Sequence, residues 1–318
     1  MAEIGIVIVT YFSEAEIGPC LDAALPSGAD IVVVDNGSTD GTVAEAARRG
    51  IRVIANGVNR GFAAAVNQGI SLLKTPFVLL LNPDAVIQGG IESLRAACDR
   101  PGAAGAGGLL LGNDGRPQVE FMVRALPTPA ALILEACLLN RLWPGNPVNR
   151  RYRARALDTS RPARVEQPAG AFLMIRRDAW RELRGFDESF FPLWFEDADF
   201  CRRAVDRGYN LYYEPGAVAK HTGAHSIAKM GVEARRVCWY SGMIRYAAKH
   251  FRPVWFRATC LGVLAGVALR ALAEAVAARS LKGAAGFGAV ARLAGGCLVF
   301  GWKGHAVTGP GARLGSGG

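Results

Sequence analysis

The chain has 318 residues, 51% of them hydrophobic, and a formal net charge of +10. This composition excludes a disordered chain and allows one large α/β domain with an appendage. Residues 230–318 hold twelve of the 37 basic side chains but only two of the 27 acidic ones, so the rest of the chain is neutral. We therefore predict no nucleic-acid partner. A basic tail rich in Ala, Leu and Val favours an anionic membrane surface; a soluble helical tail is the alternative.

The cysteines and the N-terminus bear on the cellular compartment. The seven cysteines are odd in number, widely spaced and form no C-x-x-C pair, which predicts buried thiols in a reducing compartment. The first three residues lead directly into an apolar run at 4–9, without the basic region and long apolar segment of an export signal. We expect a cytoplasmic protein.

Short β-branched runs alternate with helical patterns in the first third of the chain, at 5–10, 31–35, 52–55 and 77–81. This alternation predicts a parallel sheet covered by helices, with ligands beyond the carboxyl ends of the strands. Polar segments follow all four runs, at 10–14, 35–42, 56–61 and 82–84. The four strand ends should therefore converge on one polar rim. For the segment at 35–42, plain turn and helix-cap chemistry is an equal alternative.

The middle of the body is less regular. A glycine-rich stretch at 102–112 and a hairpin signal at Asn113-Asp114-Gly115 precede a segment at 141–164 with seven arginines and one aspartate. That segment predicts a mobile loop or insertion near an anionic ligand or, equally, a solvated surface loop. Regular structure is then expected at 165–175, 178–184, 196–207 and 210–213.

The tail has two apolar stretches, 258–278 and 283–302. The first is long enough to span a bilayer, but it contains Arg270 and Glu274, one helical turn apart and able to pair. An arginine near the bilayer centre costs about 2.5–3.5 kcal/mol on insertion scales. We therefore expect helices that lie on or partly in the membrane, and a division of the chain into a catalytic domain at 1–250 and a basic helical tail at 251–318.

Several motifs follow one another in a specific order along residues 4–250: Val7-Ile8-Val9-Thr10-Tyr11, Val33-Val34-Asp35-Asn36-Gly37-Ser38-Thr39-Asp40-Gly41-Thr42, Asn59-Arg60-Gly61-Phe62-Ala63, Asn67, Leu81-Asn82-Pro83-Asp84, Gly170-Ala171-Phe172-Leu173, Gly185-Phe186-Asp187-Glu188, Phe195-Glu196-Asp197-Ala198-Asp199, and the segment from His221 to Ser226. Together they resemble the glycosyltransferase family 2 enzymes, particularly the bacterial rhamnosyltransferase-like members. The resemblance implies a GT-A-like α/β fold with a mixed, mainly parallel sheet flanked by helices.

The resemblance also implies a nucleotide-sugar donor site at the polar rim. In it, Thr10, Tyr11, Glu14 and Asp35 hold the base and ribose, and the Asn59–Gly61 loop and Asn67 close over the donor. Asn36, Gly61 and Asn82 are also expected to bind the donor. A carboxylate such as Asp35 can accept the imide N–H of uracil or thymine, and Tyr11 offers a ring face. The alternative for Tyr11 is a core aromatic.

Asn82-Pro83-Asp84 occupies the place of the family's D-x-D motif, where hard oxygen ligands hold Mg²⁺ or Mn²⁺. Asn82 replaces the first carboxylate, a departure that weakens metal affinity in principle. We expect Asp84 to bind the metal, with His221 as a second ligand. A structural histidine is the equal alternative for His221.

By the same resemblance, Asp197 is the general base of an inverting transfer, and Glu196 orients the reacting groups or caps the helix. The alternative is that these acids only complement a helix N-terminus. Asp199 cannot share the face of Asp197 on a helix. The expected acceptor residues are Gly170, Asp187, Trp194 and Phe195, of which the two aromatic residues are equally consistent with the core.

We therefore expect an inverting glycosyltransferase that moves a sugar, with rhamnose as the best candidate, from a dTDP- or UDP-sugar to a glycan or polyprenyl-linked acceptor at the inner face of the cell membrane. A sugar nucleotidyltransferase would need a Gly-rich loop at 10–18, and a Rossmann dehydrogenase would need G-x-G-x-x-G after the first strand; neither is present. A non-catalytic, membrane-recruited glycan- or nucleotide-binding scaffold remains the alternative from a different functional class.

Overall fold

A computed structural model describes residues 2–223, 230–278 and 285–302. The described chain forms two compact units. The first comprises residues 2–126, 151–188 and 196–223, and the second comprises 127–150, 189–195, 230–278 and 285–302. This division does not follow a single boundary at residue 250, because two internal segments belong with the C-terminal helices.

The strands, in chain order, are β1 Ile4–Thr10, β2 Asp30–Asp35, β3 Arg52–Ala55, β4 Phe77–Leu81, β5 Ala85–Gly89, β6 Ala103–Leu111, β7 Val123–Arg124, β8 Ala163–Val165, β9 Gln167–Pro168, β10 Phe172–Arg176 and β11 Asn210–His221. The helices of the first unit are α1 Glu14–Ala24, α2 Thr42–Ala47, α3 Phe62–Leu72, α4 Ile91–Cys98, α5 Val119–Met122, α9 Arg177–Glu182 and α10 Glu196–Asp206, with a 3₁₀ turn at Leu25–Ser27. The remaining helices are α6 Pro129–Ala136, α7 Leu139–Leu142, α8 Pro147–Tyr152, α11 Val232–His250, α12 Pro253–Ala278 and α13 Ala285–Phe300.

The first unit is built on a nine-stranded mixed sheet in the order β3-β2-β1-β4-β10-β6-β11-β5, with β8 also paired to β11. β1 pairs in parallel with β2 and β4, and β2 with β3, as the alternating pattern predicts. β10 inserts antiparallel between β4 and β6. The prediction of a mixed, mainly parallel sheet flanked by helices is confirmed.

Both faces of the sheet are buried because the strand residues alternate between two hydrophobic clusters. In β1, Ile6 and Ile8 pack under α1, α2 and α4, whereas Val7 packs under α3, α9 and α10. The same alternation in β2 and β4 fixes the register, since a slip of one residue would exchange the two faces. The carboxyl ends of β1, β2, β3 and β4 consequently meet at one edge.

The arginine-rich segment at 141–164 contains regular structure. It includes α8, which begins after Asn146, and the Asn146 side-chain oxygen accepts from the Asn149 backbone N–H at 2.8 Å. Further along, Arg153 and Arg155 both pair with Glu120. The segment is therefore not irregular throughout, because 147–152 is helical and 163–165 pairs in the sheet, whereas its mobility stays a prediction.

In the second unit, α12 packs closely against α6 through two glycines one turn apart. A side chain on Gly266 would overlap the backbone carbonyl of Ala136, and one on Gly262 would crowd Ile133. The side chain of Cys137 also contacts the Gly262 carbonyl oxygen, at 3.4 Å. Small residues at this spacing allow two helix backbones to approach each other.

The two charged residues of α12 have separate partners. Glu274 pairs with Arg236 of α11 at 2.5 Å, whereas Arg270 donates to the Glu135 carbonyl oxygen at 3.3 Å and lies over the Tyr240 ring. Arg270 and Glu274, which the helical spacing would allow to pair, therefore have separate partners on neighbouring helices. Among the described residues, Pro253–Val276 is the one helix long and apolar enough to cross a membrane, by length and composition alone.

Candidate active site

The ends of β1 and β2 are joined by a buried hydrogen-bond network around Asp35. One carboxylate oxygen of Asp35 accepts from the Thr10 hydroxyl at 2.8 Å and from the Ser38 hydroxyl at 2.6 Å. The other accepts from the backbone N–H groups of Gly37 and Ser38, at 3.1 and 2.8 Å. A carboxylate has about four lone-pair sites, and protein donors fill all four here.

This network restricts how Asp35 can bind a nucleobase. An imide N–H reaches the carboxylate only if one protein donor leaves, and the Ser38 hydroxyl is the donor that can rotate most easily. Ser38 also accepts from the Phe12 backbone N–H at 2.7 Å, so its rotation is coupled to the loop after β1. In the structure Asp35 therefore organises the loop after β2.

Tyr11 and Glu14, which follow β1, are more exposed than the buried Asp35. Tyr11 is half-buried, and its ring meets the Phe12 ring edge-on with 4.6 Å between centroids. The alternative of a fully buried core aromatic therefore does not describe Tyr11. Glu14 is exposed at the start of α1, and its side chain lies against Gly41.

Asn36 connects the end of β2 to the loop after β3. Its amide nitrogen donates to the Gly61 carbonyl oxygen at 3.2 Å, and its amide oxygen accepts from Asn56 at 3.3 Å. Gly61 has φ 87°, in the left-handed region that favours glycine, directly before α3 begins. These contacts bring Asn36 and Gly61 together, as the convergence of strand ends predicts.

The Asn67 side chain contacts a different part of the first unit, residues 180–188. Its amide oxygen accepts from Trp180 at 3.2 Å and from the Phe186 backbone N–H at 2.9 Å, while its amide nitrogen donates to the Phe186 carbonyl oxygen at 2.9 Å and to Glu188 at 3.0 Å. Asn67 thus holds the turn that contains Gly185 and Asp187. The role of Asn67 in closing over a donor stays a prediction.

The candidate metal site lies at the turn between β4 and β5. Asp84 and His221 are both buried, with 3.4 Å between the Asp84 Oδ1 and His221 Nε2 atoms. The Asn82 amide nitrogen lies 3.4 Å from the same His221 nitrogen. Burial by itself raises the pKa of Asp84, but the interaction with His221 and the backbone hydrogen bonds of Asp84 and Gly223 together lower it below its ordinary value. Residues 224–226 of the His221-to-Ser226 motif lie outside the described residues.

Two residues of the α5 region hold His221 in place. The Gln118 amide nitrogen donates to the His221 carbonyl oxygen at 2.9 Å, and its amide oxygen lies 3.0 Å from His221 Nδ1. Phe121 stacks on the imidazole ring with 4.9 Å between centroids. This arrangement keeps Nε2 directed at Asp84.

The donor set fits the metal that the family implies, provided that a substrate completes it. Within 2–223, 230–278 and 285–302 no group of three or more His, Cys, Asp or Glu side chains could hold a metal ion. Asp84 and His221 would supply two ligands, and Asn82 lies beside them with its amide group. Mg²⁺ and Mn²⁺ in phosphate-handling sites commonly take the remaining oxygens from substrate phosphates and water.

Asp197 lies in the first turn of α10 and remains partly exposed. Burial raises the pKa of this carboxyl, while hydrogen bonds from the Ala198 and Gly170 backbones and from Gln167, together with the charge of Arg124, lower it without cancelling the rise. A raised pKa on a partly exposed residue is consistent with a general base, and that role of Asp197 stays a prediction.

The other acids of the motif differ from Asp197. Glu196 is buried at 7% exposure in the same turn. Asp199 is fully buried and pairs with Arg203 at 2.8 Å, and Arg203 also donates to the carbonyl oxygens of Leu183 and Gly185. Asp199 is therefore a structural residue that positions the turn before the Asp187 segment, and it points away from Asp197 as the helical spacing predicts.

The predicted acceptor residues do not form one cluster in a single unit. Gly170 lies directly beside Asp197, because a side chain placed on it would lie 3.7 Å from the Asp197 Cβ atom. Asp187 belongs to the turn held by Asn67. Trp194 and Phe195 belong to the second unit, where Phe195 is buried against Trp239 and Tyr246, which agrees with the core alternative for that residue.

Sequence reasoning missed three residues of this site: Gln118, Arg124 and Gln167. Gln118 holds His221, whereas Arg124 and Gln167 act on Asp197. None of them lies in a recognisable motif. The pairing of β7 with β9, which places Arg124 opposite Gln167, is the structural feature that brings them to the site.

Comparison with known proteins decides the family. The model of the family described as Glycosyl transferase family 2 matches residues 5–183, more than half of the chain. The chain belongs to this family and is a glycosyltransferase. An N-acetylglucosaminyl-diphospho-decaprenol L-rhamnosyltransferase of Mycobacterium tuberculosis is 32% identical over 288 residues, which cover 83% of this chain and 90% of that protein.

Solved structures of other glycosyltransferases share the fold. The mannosyltransferase PcManGT from Pyrobaculum calidifontis, in complex with GDP-Man and Mn²⁺, matches at a TM-score of 0.52 and 17% identity, over 95% of this chain and 81% of that one. GalNAc-T7 with UDP, GalNAc and Mn²⁺ matches at 0.52 and 16% identity, over 70% of this chain and 44% of that one. These likenesses show the GT-A fold.

Proposed function

We propose that this glycosyltransferase transfers rhamnose, with inversion, from a dTDP- or UDP-sugar to a glycan or polyprenyl-linked acceptor of the cell envelope. The observation that carries the mechanism is Asp197, a partly exposed residue beside Gly170, whose carboxyl pKa is raised by burial. The name of the mycobacterial relative, which spans nearly the same length, supports the sugar and the lipid-linked acceptor.

In this mechanism the Asp197 carboxylate takes the proton of an acceptor hydroxyl. The hydroxyl oxygen forms the new bond to the anomeric carbon as the bond to the diphosphate breaks on the opposite face. The nucleoside diphosphate leaves with the electron pair of that bond. Inversion follows from the attack opposite the leaving group.

In this proposal the residues around Asp35 and those around Asp84 bind different parts of the donor. Thr10, Tyr11, Glu14 and Asp35 surround the nucleoside, and the Asn36–Gly61 connection shapes the adjacent wall. Asp84 and His221, with Asn82 beside them, would hold a divalent cation, which would neutralise the charge that develops on the departing diphosphate. The Mn²⁺ in the two structural neighbours supports this assignment.

A membrane-facing role for the C-terminal residues 251–318 completes the proposal. Apolar side chains at helical spacing along α12 remain exposed, namely Leu261 at 54%, Leu269 at 53%, Leu272 at 64% and Val276 at 70%. The charge of 230–318 is strongly basic. An apolar helix face within a basic segment fits the interface of an anionic bilayer, so the protein works at the cytoplasmic face of the cell membrane.

The first test is a thermal-shift panel with dTDP-rhamnose, UDP-glucose, UDP-galactose and GDP-mannose, each with and without Mn²⁺. A ligand that binds only the native state raises Tm by mass action. We expect a shift with dTDP-rhamnose or a UDP-sugar that Mn²⁺ increases, followed by transfer to an acceptor with the opposite anomeric configuration. A shift with GDP-mannose alone would contradict the nucleotide assignment, and binding without any turnover would favour the scaffold alternative.

A further inference from the structure

The Phe121 ring is exposed beside the candidate metal site. It stacks on the His221 imidazole, with 12° between the two ring planes and 4.9 Å between their centroids. His221 is 3% exposed, whereas Phe121 is 41% exposed and is the most exposed residue of α5. The imidazole therefore covers one face of the phenyl ring, and solvent reaches another part of it. A large apolar side chain left exposed beside polar ligands is typical of the wall of a binding site.

Several polar contacts hold α5, and with it the Phe121 ring, in place. The Glu120 carboxylate pairs with Arg155 at 2.7 Å and with Arg153 at 3.6 Å. The Glu120 backbone carbonyl oxygen accepts from Arg124 Nε at 2.9 Å. The ring is therefore fixed before any ligand binds. A wall that is already rigid discriminates well between ligands of similar shape.

The backbone next to Phe121 reaches the candidate base. The Met122 carbonyl oxygen accepts from the Ala169 backbone N–H at 2.9 Å. Gly170 is the next residue, and a side chain placed on it would lie 3.7 Å from the Asp197 Cβ atom. The α5 segment therefore connects the histidine of the metal site to the wall beside Asp197.

In the proposed mechanism the transferred sugar occupies this same region. Its anomeric carbon is bonded to the diphosphate, which a cation at Asp84 and His221 would hold. The same carbon is attacked by the hydroxyl that Asp197 deprotonates. The sugar therefore lies between the two sites, next to the exposed part of the Phe121 ring.

The chemistry of a phenyl ring limits which edge of a sugar can face it. The ring has no hydrogen-bonding atom, so a hydroxyl group pressed against it would lose water and gain no partner. An apolar group in the same place gains from leaving water. A 6-deoxyhexose carries a methyl group at C5, where glucose, galactose and mannose carry a hydroxymethyl group.

We propose that Phe121 is a specificity-determining residue for the transferred sugar, whose exposed ring packs against the methyl group of a 6-deoxyhexose and disfavours a sugar with a 6-hydroxyl. The inference rests on the proposed function of Asp84, His221 and Asp197. An apolar wall of this kind discriminates by about 10- to 100-fold between ligands that differ by one hydroxyl. The residue that supports a metal ligand thus also selects the sugar.

The test compares two donors, dTDP-L-rhamnose and dTDP-L-mannose, which differ only by the 6-hydroxyl. Kd is measured by calorimetry with Mn²⁺ for both donors and for dTDP alone, and turnover is measured with a short-chain N-acetylglucosaminyl diphospholipid. The variants are Phe121→Ala, which removes the ring, and Phe121→Gln, which fills a similar space and offers a partner to the 6-hydroxyl. The controls are Leu72→Ala, at a 44% exposed position on α3, and Gln88→Ala, on the exposed end of β5.

The wild type and both controls should bind dTDP-L-rhamnose about 10- to 100-fold more tightly than dTDP-L-mannose, and kcat/KM should show the same preference. In Phe121→Ala the preference should fall to within about threefold, and in Phe121→Gln it should fall at least as far. Loss of the stack on His221 should weaken dTDP and both sugars by one common factor, because all three carry the same diphosphate. The ratio of the two donor affinities is therefore unaffected by a purely structural role of the ring.

The outcomes separate this inference from the proposed function. A wild type that transfers rhamnose, with the same donor ratio in Phe121→Ala as in the wild type, overturns the role of Phe121 alone. A wild type that uses a 6-hydroxy sugar as well as dTDP-L-rhamnose also overturns it. A folded wild type with no turnover from any dTDP- or UDP-sugar overturns the proposed function, and the inference falls with it. If Phe121→Ala does not fold, the donor ratio of Phe121→Gln decides, and an unchanged ratio there contradicts the contact.

Discussion

Gln118 makes two contacts with His221, one to its backbone and one to its ring. Because the amide nitrogen donates to the His221 carbonyl oxygen at 2.9 Å, the amide oxygen must be the atom that faces Nδ1 at 3.0 Å. The ring therefore keeps a proton on Nδ1, and a metal ion at Nε2 would take the place of the proton that Nε2 shares with Asp84. This is the tautomer that a metal ligand requires.

Gln118→Leu should therefore weaken metal binding. Loss of a residue that orients a ligating histidine typically costs about 10- to 100-fold in metal affinity. Mn²⁺ titration in the presence of the nucleoside diphosphate, followed by electron paramagnetic resonance, measures this directly. Gln88→Leu is the control, and equal Mn²⁺ affinity in the two variants would remove Gln118 from the site.

Asp197→Asn should abolish turnover and leave donor binding as in the wild type. The asparagine keeps the shape of the carboxyl but cannot take a proton, and general-base catalysis contributes about 10²- to 10⁴-fold. Asp206→Asn is the matched control, since Asp206 lies at the far end of the same helix and pairs with Arg202 at 2.9 Å. Normal turnover in Asp197→Asn would exclude it as the base.

The pH profile reports the state of the same carboxyl. Burial raises the pKa of Asp197, so the acid limb of kcat/KM should lie above the ordinary range of aspartate near about 4. Activity is present above that pKa and is lost as the pH falls through it, because the base must be ionised. In Arg124→Gln the limb should move to still higher pH, since the charge that lowers the Asp197 pKa is removed. A limb that moves to lower pH would contradict this account.

Much of the fold follows from local sequence patterns, and β6 shows where such patterns fail. β1, β2, β3 and β4 lie within one residue of their predicted bounds because short runs of β-branched and other apolar residues form them. β6 is rich in alanine and glycine, which carry no strand signal. Its glycines are explained only by tertiary contacts: side chains on Gly105 and Gly108 would overlap the Met174 carbonyl and the Phe172 ring.

The same limit applies to the site. Motif residues such as Asp84 and Asp197 could be selected from the sequence because their order along the chain is specific. Arg124 and Gln167 could not, because their proximity to Asp197 arises from the pairing of two strands that are distant in sequence. Asp35 shows the opposite case, in which a motif residue is occupied by protein hydrogen bonds that no sequence pattern reveals.

The exposed face of α12 predicts the membrane behaviour of the full-length protein. Replacement of Leu269, Leu272 and Val276 by serine should weaken binding to phosphatidylglycerol vesicles by at least about tenfold, because three inserted apolar side chains are lost. Sedimentation with vesicles measures the bound fraction, which added salt should also reduce. Leu72→Ser, at a 44% exposed position on α3, is the control. Equal sedimentation of all variants would assign membrane binding to another surface.

The contact of α12 with α6 predicts opposite effects of two chemically identical substitutions. Glycine to alanine in a helix normally stabilises by about 1 kcal/mol, and Gly296→Ala on α13 should do so because no other atom lies near the added methyl group. Gly266→Ala should instead lower the free energy of unfolding by about 1–3 kcal/mol, since the methyl group overlaps the Ala136 carbonyl oxygen and forces the helices apart. Denaturant titration of the two variants measures both changes. A Gly266→Ala protein as stable as Gly296→Ala would mean that α6 and α12 do not pack at this distance, and Arg270 would then lack the Glu135 carbonyl as its partner.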